Sequence, residues 1–245
     1  MKTEDLLGLA KHVASKAGDL LKKRYATLLQ VDSNEKHDLK LRVDSTVEKL
    51  IRNELAKNSS LPVLGEEFGT EGTDLLAKSF WVIDPLDGTV NYFKGNPSCC
   101  VSIGIWNEMN PLIGVVFNFH TNEMFSGDTR SMYASFDGKQ LKTSPIIDTD
   151  QAVYSTGFPL AMDLDSKAKD RFFQKVKNYK KVRMIGSAAL SLAYVASGKF
   201  DIYEEESIRL WDVAAGLAIV RAAGGSIEHK FTDFENFVLN VKATA

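Results

Sequence analysis

Three acidic stations in this chain carry the residue types that hold hard cations. The first is Trp81-Val82-Ile83-Asp84-Pro85-Leu86-Asp87-Gly88-Thr89. A buried strand delivers Asp84 at its end, and Pro85 fixes a turn so that Asp87, three residues on, points back toward the same space. Gly88 lets a ligand approach the backbone closely, and Thr89 adds a hydroxyl. Two carboxylates held so near each other repel unless a cation joins them, and carboxylates with carbonyls suit Mg2+. The competing reading is a strand followed by a solvated acidic turn, and spacing alone leaves the two level. The second station is Gly65-Glu66-Glu67, another strand end in acids, although glutamates so placed are more often merely solvated. The third is Trp211-Asp212-Val213-Ala214-Ala215-Gly216, where an acid enters the first turn of an apolar helix. The helix N-terminus alone can stabilise that carboxylate. Between Trp211 and Val213, however, Asp212 reads as buried, and a buried acid needs a partner.

The elements that must position these residues follow from periodicity. Thr3 to Leu29 places Leu6, Leu9, Val13, Ala17, Leu20 and Leu21 at helical spacing. A second helix is expected from Ser45, with Ser45-Thr46-Val47-Glu48 as a capping box ahead of Leu50, Ile51 and Leu55. Phe80 to Asp84, Val101 to Trp106, Leu112 to Phe119 and a weaker Met124-Phe125 read as strands of an antiparallel meander. From Val153-Tyr154-Ser155 the pattern alternates. A helix is expected over Asp165 to Asn178, a strand over Val182 to Ile185 and a helix capped by Ser187 to Ser197. A strand over Phe200 to Tyr203 and a helix over Trp211 to Ala223, closed by Gly224-Gly225, complete it. Strand-rich first and alternating second implies a mixed α and β protein.

Composition narrows the class. The 245 residues hold 30 Lys+Arg against 32 Asp+Glu, a net charge of -2, which argues against a nucleic-acid binder dominated by phosphate contacts. No apolar run approaches the roughly 20 residues that cross a bilayer. The N-terminus has acids among its bases, unlike a signal peptide. The two cysteines, Cys99 and Cys100, are adjacent, so no disulfide framework or thiolate zinc site is expected and a cytoplasmic setting is. As a strand start, the pair should turn to opposite faces. His120 and His229 lack a second His at ligand spacing and read as structural.

Together, Gly65-Glu66-Glu67, the Trp81 to Thr89 segment with Asn91-Tyr92, Gly186-Ser187-Ala188-Ala189, and Trp211 to Gly216 with Gly224-Gly225 resemble the inositol monophosphatase family of Mg2+-dependent, lithium-sensitive phosphomonoesterases. The motifs occur in the family's order along nearly the whole chain. The resemblance implies a layered αβαβα sandwich, shared with fructose-1,6-bisphosphatase relatives. It implies a single catalytic unit with subdomains of about 1–145 and 146–245. Glu66, Asp84 and the Leu86 carbonyl would hold a first Mg2+, and Asp84, Asp87 and Asp212 a second. Glu66 would also help hold a weaker third. Thr89 would position the attacking water with Asp44 orienting its hydroxyl, and the amides of Gly88 and Thr89 would face the phosphate. Glu205 would accept hydrogen bonds from substrate hydroxyls, although Glu204-Glu205-Glu206 by itself reads as a water-facing run. Ser187 and Ala188 would border the same pocket.

The implied reaction is hydrolysis of a small phosphate monoester, myo-inositol 1-phosphate first, by direct attack of water. Histidinol phosphate, fructose 1,6-bisphosphate, NADP and 3′-phosphoadenosine 5′-phosphate are the rival substrates. A homodimer is the implied assembly, with no nucleic-acid or membrane partner. A regulatory protein acting through a macromolecular partner is the alternative of another class. The chain departs from the family at Val90, where Thr is frequent, at Arg42-Val43 ahead of Asp44, and in its short tail after Gly225.

Overall fold

Two amphipathic helices open the chain, α1 (Thr3–Arg24) and α2 (Arg42–Ala56), with the antiparallel pair β1 (Val31–Asn34) and β2 (Leu39–Leu41) between them. The computed structural model describes residues 3–24, 31–34, 39–70, 79–146, 148–158 and 166–245. The expected helical stretch 25–29 and the expected helix start at Asp165 lie outside the described residues. Helix α2 starts at Arg42, one turn before the expected capping box. The hydroxyls of Ser45 and Thr46 donate back to the Arg42 carbonyl at 3.3 and 2.9 Å, so they act inside the helix. Glu48 turns into the interior instead of capping.

The first sheet follows. Its strands are β3 (Val63–Gly65), β4 (Gly69–Thr70) and β5 (Ser79–Asp87); after the short helix α3 (Thr89–Phe93) come β6 (Cys100–Asn107), β7 (Asn110–Asn118), β8 (Glu123–Asp128), β9 (Tyr133–Phe136) and β10 (Lys139–Gln140). The order is β10-β9-β8-β7-β6-β5-β3-β4, an antiparallel meander with β3 parallel to β5. Strand β5 does not stop at Pro85. Its pairing with β6 shifts register between Asp84 and Asp87, and this bulge accommodates the missing N–H of the proline. Strands β9 and β10, short and half-exposed, gave no pattern in the sequence.

The second sheet holds β11 (Val153–Ser155), β12 (Lys181–Arg183), β13 (Ile202–Arg209), β14 (Ser226–Asp233) and β15 (Val238–Thr244), ordered β12-β11-β13-β15-β14. Helices α4 (Ser166–Lys177), α5 (Ala188–Ala196) and α6 (Leu210–Ala222) connect its strands. Strand β11 runs parallel to β12 and β13, and the last three strands are antiparallel. The expected strand to Tyr203 extends to Arg209, so the acidic triplet Glu204 to Glu206 lies within a strand. Its side chains therefore alternate between faces.

These pieces stack as αβαβα. Along β5, Trp81 and Ile83 face a core made with Val13, Ala17, Val47 and Ile51 of α1 and α2. Phe80 and Val82 face a second core that α5 and α6 fill between the two sheets. With both faces covered, the strand reads as an unbroken apolar run. On the second sheet Tyr203 points into that inner core. Glu204 points the other way, where Lys175 of α4 pairs with it and Tyr179 stacks on Tyr154 at 4.5 Å, which places α4 in the outer layer. Cys99 and Cys100 do face opposite cores. His229 packs edge-on to Trp106 at 5.1 Å and bonds the Met109 carbonyl, a structural role. Among the described residues no helix is long and apolar enough to cross a membrane.

Helix α6 lies unusually close to the first sheet. Gly104, Gly114 and Gly127 are register partners forming one row across β6, β7 and β8. A Cβ at Gly114 would sit 2.0 Å from the Ala215 carbonyl oxygen, and one at Gly127 would sit 2.8 Å from the Ile219 Cα. The indole of Trp106 donates to the Ala214 carbonyl at 3.2 Å. This seat fixes the depth of α6 and, with it, Asp212 in its first turn.

Candidate functional site

Asp84 and Asp87 are delivered by the bulged end of β5. The Asp84 Oδ1 accepts the Leu86 N–H at 2.9 Å, which folds the turn back on itself. Thr89 Oγ1 donates to the Leu86 carbonyl at 3.0 Å. Gly88 has φ of 89°, a left-handed conformation, and a Cβ there would lie 2.8 Å from the Ser98 carbonyl oxygen. Glycine is thus required by both backbone and space.

The Asp87 carboxylate then crosses to the other half of the molecule. Its Oδ2 accepts the Ser187 hydroxyl at 2.6 Å and the Ala189 N–H at 2.7 Å. Ser187 is the N-cap of α5 and accepts the Leu190 N–H at 3.2 Å. An acid from the first sheet therefore sits on the positive end of a helix that leads into the second. Asn91 reinforces the same joint: its Nδ2 donates to the carbonyls of Ser98 at 2.7 Å and Ile185 at 2.8 Å.

A cavity of about 1090 Å³ opens over this joint. Glu66, Asp87, Gly88 and Thr89 line it from the first sheet, and Ser187, Ala188, Glu205 and Asp212 from the second half. Asp84, Leu86 and Asp44 are not part of its lining. Asp84 and Asp44 are buried, Asp44 in the first turn of α2. Glu205 is not water-facing. It points inward, where Tyr203 donates its hydroxyl at 2.5 Å, and a Cβ on Gly157 would clash with its carboxylate. The sequence assigns Tyr203 no role beyond a strand end, Asn91 only a place in a motif, and Glu48 a capping role that the structure does not bear out. Alternation along β13 would have flagged Tyr203 once the strand was known to continue.

Burial dominates the electrostatics. It pushes the Asp84 carboxyl well above the carboxylate range, and the charges of Glu66, Asp87 and Asp212 push it further. Asp212 is raised in the same way, by burial and then by Glu66, Asp87 and Glu205. Burial lifts Asp87 to about 6 against the opposing bonds from Ser187, Ala189 and Ala188. Burial also raises Glu205, with the Tyr203 bond opposing. The Cys99 thiol is pushed up to about 12 and Cys100 upward as well, so neither is poised as a thiolate nucleophile.

The donor set fits a hard divalent cation. It is all oxygen, Asp84 and Asp87 are buried with Glu66 and Asp212 half-buried, and the side-chain charges that act most on Asp84 and Asp212 are themselves negative. Among the described residues no three His, Cys, Asp or Glu side chains close into a finished coordination shell. The acids still raise one another, so deprotonation at this joint is favoured only when a cation offsets their charge.

A carboxyl raised in the folded chain favours folding at low pH, and that advantage is lost as pH rises from the usual 3.8 through about 6 for Asp87. A bound cation reverses the penalty. The gain in Tm from Mg2+ over EDTA is therefore expected to grow between pH of about 5 and about 7. A gain independent of pH would contradict the assignment of these carboxylates to a cation.

Comparison with known proteins gives a consistent picture. Residues 2–243 match the model of the Inositol monophosphatase family. Nus factor SuhB of Escherichia coli strain K12 is 37% identical over 239 residues, covering 96% of this chain and 88% of the relative. Inositol monophosphatase 3 of Solanum lycopersicum is 33% identical over 252 residues, covering 98% and 92%. Among solved structures, an inositol monophosphatase from Anabaena (Nostoc) superposes with a TM-score of 0.84 at 28% identity, over 100% of this chain and 92% of the other.

Proposed function

We propose, because this chain belongs to the inositol monophosphatase family, that it is a Mg2+-dependent phosphomonoesterase acting on a small polyol phosphate, with myo-inositol 1-phosphate as the leading substrate. The observation that carries the reading is the convergence of acids from separate elements, the buried Asp84 and Asp87 of β5 and the half-buried Asp212 of α6, around one cavity whose charge calls for cations.

Glu66, Asp84, the Leu86 carbonyl, Asp87 and Asp212 would hold two to three Mg2+ ions. Bound Mg2+ supplies positive charge against the phosphate oxygens and acidity to water. The chain does the rest. The amides of Gly88 and Thr89, where the glycine turn enters α3, receive phosphoryl oxygens. The Thr89 hydroxyl, whose own proton goes to the Leu86 carbonyl rather than to Asp44, offers its lone pairs to the attacking water and aligns it. Ser187 and Ala188 close the wall opposite. Glu205, held in place by Tyr203, accepts hydrogen bonds from the polyol hydroxyls and orients the ester. Among the described residues lining the cavity there is no His or Cys to take the phosphoryl group, and the proposed transfer runs directly to water.

Relatives such as that of Escherichia coli carry the name Nus factor SuhB rather than that of a phosphatase. A role through a macromolecular partner is therefore the competing reading. Phosphate release from inositol 1-phosphate, histidinol phosphate, fructose 1,6-bisphosphate, NADP and 3′-phosphoadenosine 5′-phosphate separates the two. The expected result is Mg2+-dependent, Li+-suppressed release with the highest kcat/KM on inositol 1-phosphate. A different best ester would move the substrate. Silence from folded, Mg2+-binding protein would favour the partner-dependent role.

A further inference from the structure

The turn that carries Glu66 is gripped from the interior by two residues of α2. Glu48 is fully buried. Its Oε2 accepts the Glu67 N–H at 2.8 Å and its Oε1 the Phe68 N–H at 3.2 Å. Arg52, one turn further along the helix, donates its Nε–H to Glu48 Oε1 at 2.8 Å. The rest of its guanidinium reaches the carbonyls of Val63 at 3.3 Å and Gly69 at 2.6 Å. Glu48 thus takes the amides of the β3–β4 hairpin and Arg52 takes its carbonyls. The seat leaves no room for a side chain at Gly65, where a Cβ would lie 2.1 Å from Glu48 Oε1. Glu66 stands between that glycine and the amide that Glu48 holds, so its backbone is fixed on both sides. Neither Glu48 nor Arg52 lines the cavity.

We propose that Glu48, braced by Arg52, is a positioning residue for Glu66 and sets the affinity of the site for its divalent cation. The proposal rests on Glu66 being a cation ligand. A ligand presented by an ordered backbone binds without first having to be ordered, so loosening the hairpin weakens binding. Residues that hold a ligand from behind typically govern metal affinity by about tenfold or more.

Mn2+ binding, followed by electron paramagnetic resonance of the free ion with no substrate present, tests this. The variants are Glu48→Gln, Arg52→Lys, Glu66→Gln and Leu55→Ala. Arg52→Lys keeps a charge for Glu48 but loses the fork onto the two carbonyls. Leu55 is a buried core residue of the same helix, so Leu55→Ala destabilises α2 without touching the hairpin grip. Glu66→Gln and Glu48→Gln are each expected to weaken Mn2+ binding about tenfold. Arg52→Lys should weaken it less, in the same direction, while Leu55→Ala lowers Tm and leaves Mn2+ binding near wild type. Near-normal Mn2+ affinity in Glu48→Gln beside a weakened Glu66→Gln overturns the positioning role. So does equal weakening by Leu55→Ala, since that marks a general effect of stability. Normal binding by Glu66→Gln overturns the ligand reading beneath it. If Glu48→Gln does not fold, Arg52→Lys carries the same decision.

Discussion

Asp87→Asn is expected to lower kcat/KM for the best phosphate monoester by roughly a thousandfold, the scale for removing a group that stabilises transition-state charge, while the protein stays folded. The geometry explains both halves of that result. Oδ2 of Asp87 is committed to the Ser187 hydroxyl and the Ala189 N–H. Asparagine has one oxygen, and those donors claim it, so the cap on α5 survives. The amide nitrogen is then left facing the cavity. Where the carboxylate would offer an electron pair to a cation, the variant offers a hydrogen, and the expected loss is therefore more than one unit of charge. Near-wild-type turnover in Asp87→Asn would remove this residue from the cation site. Unfolding would show that the joint between the sheets needs the full carboxylate.

Gly114→Val is expected to act on stability first. A Cβ there meets the Ala215 carbonyl oxygen at 2.0 Å, backbone that has no rotamer to yield. The helix must lift off the sheet, with a penalty of about 3 kcal/mol, which for a chain of this length lowers Tm by roughly 10 °C. Asp212 rides on the first turn of the same helix, so residual folded protein should also bind Mg2+ more weakly. Gly8→Ala is the contrasting case. Gly8 lies in α1 with nothing within 4 Å of the added carbon, so the change should raise stability by about 0.5–1 kcal/mol through helix propensity. Equal Tm shifts for the two variants would contradict the close seat of α6.

Much of the fold was legible because its signals are local. The alternation along β5 is hidden by burial on both faces, yet the unbroken apolar run from Phe80 still marks a strand. The layered αβαβα arrangement came through resemblance, and the stacking of the two cores bears it out. What failed depended on distant partners. Ser45 and Glu48 have the spacing of a capping box, but Glu48 is claimed by a hairpin nearly 20 residues away. Pro85 reads as a strand end because a bulge cannot be foreseen from one strand. Glu204 to Glu206 look like a solvated run until β13 continues through them and sends Glu205 into the cavity. The β14–β15 hairpin went unread because burial along β14 alternates only between partial and full exposure, which leaves a weak apolar period. The joint from Asp87 to Ser187 spans 100 residues, and no pattern in the sequence points across it.

In the proposed function, cations complete this acidic cavity and the completed site hydrolyses a phosphate monoester. The most direct measurement is phosphate release from inositol 1-phosphate by the purified chain, titrated with Mg2+ after EDTA treatment. No release in EDTA, release that saturates with Mg2+, and loss of that release in Asp87→Asn are expected. Release that persists unchanged in EDTA, or that Asp87→Asn leaves intact, would contradict the proposed function.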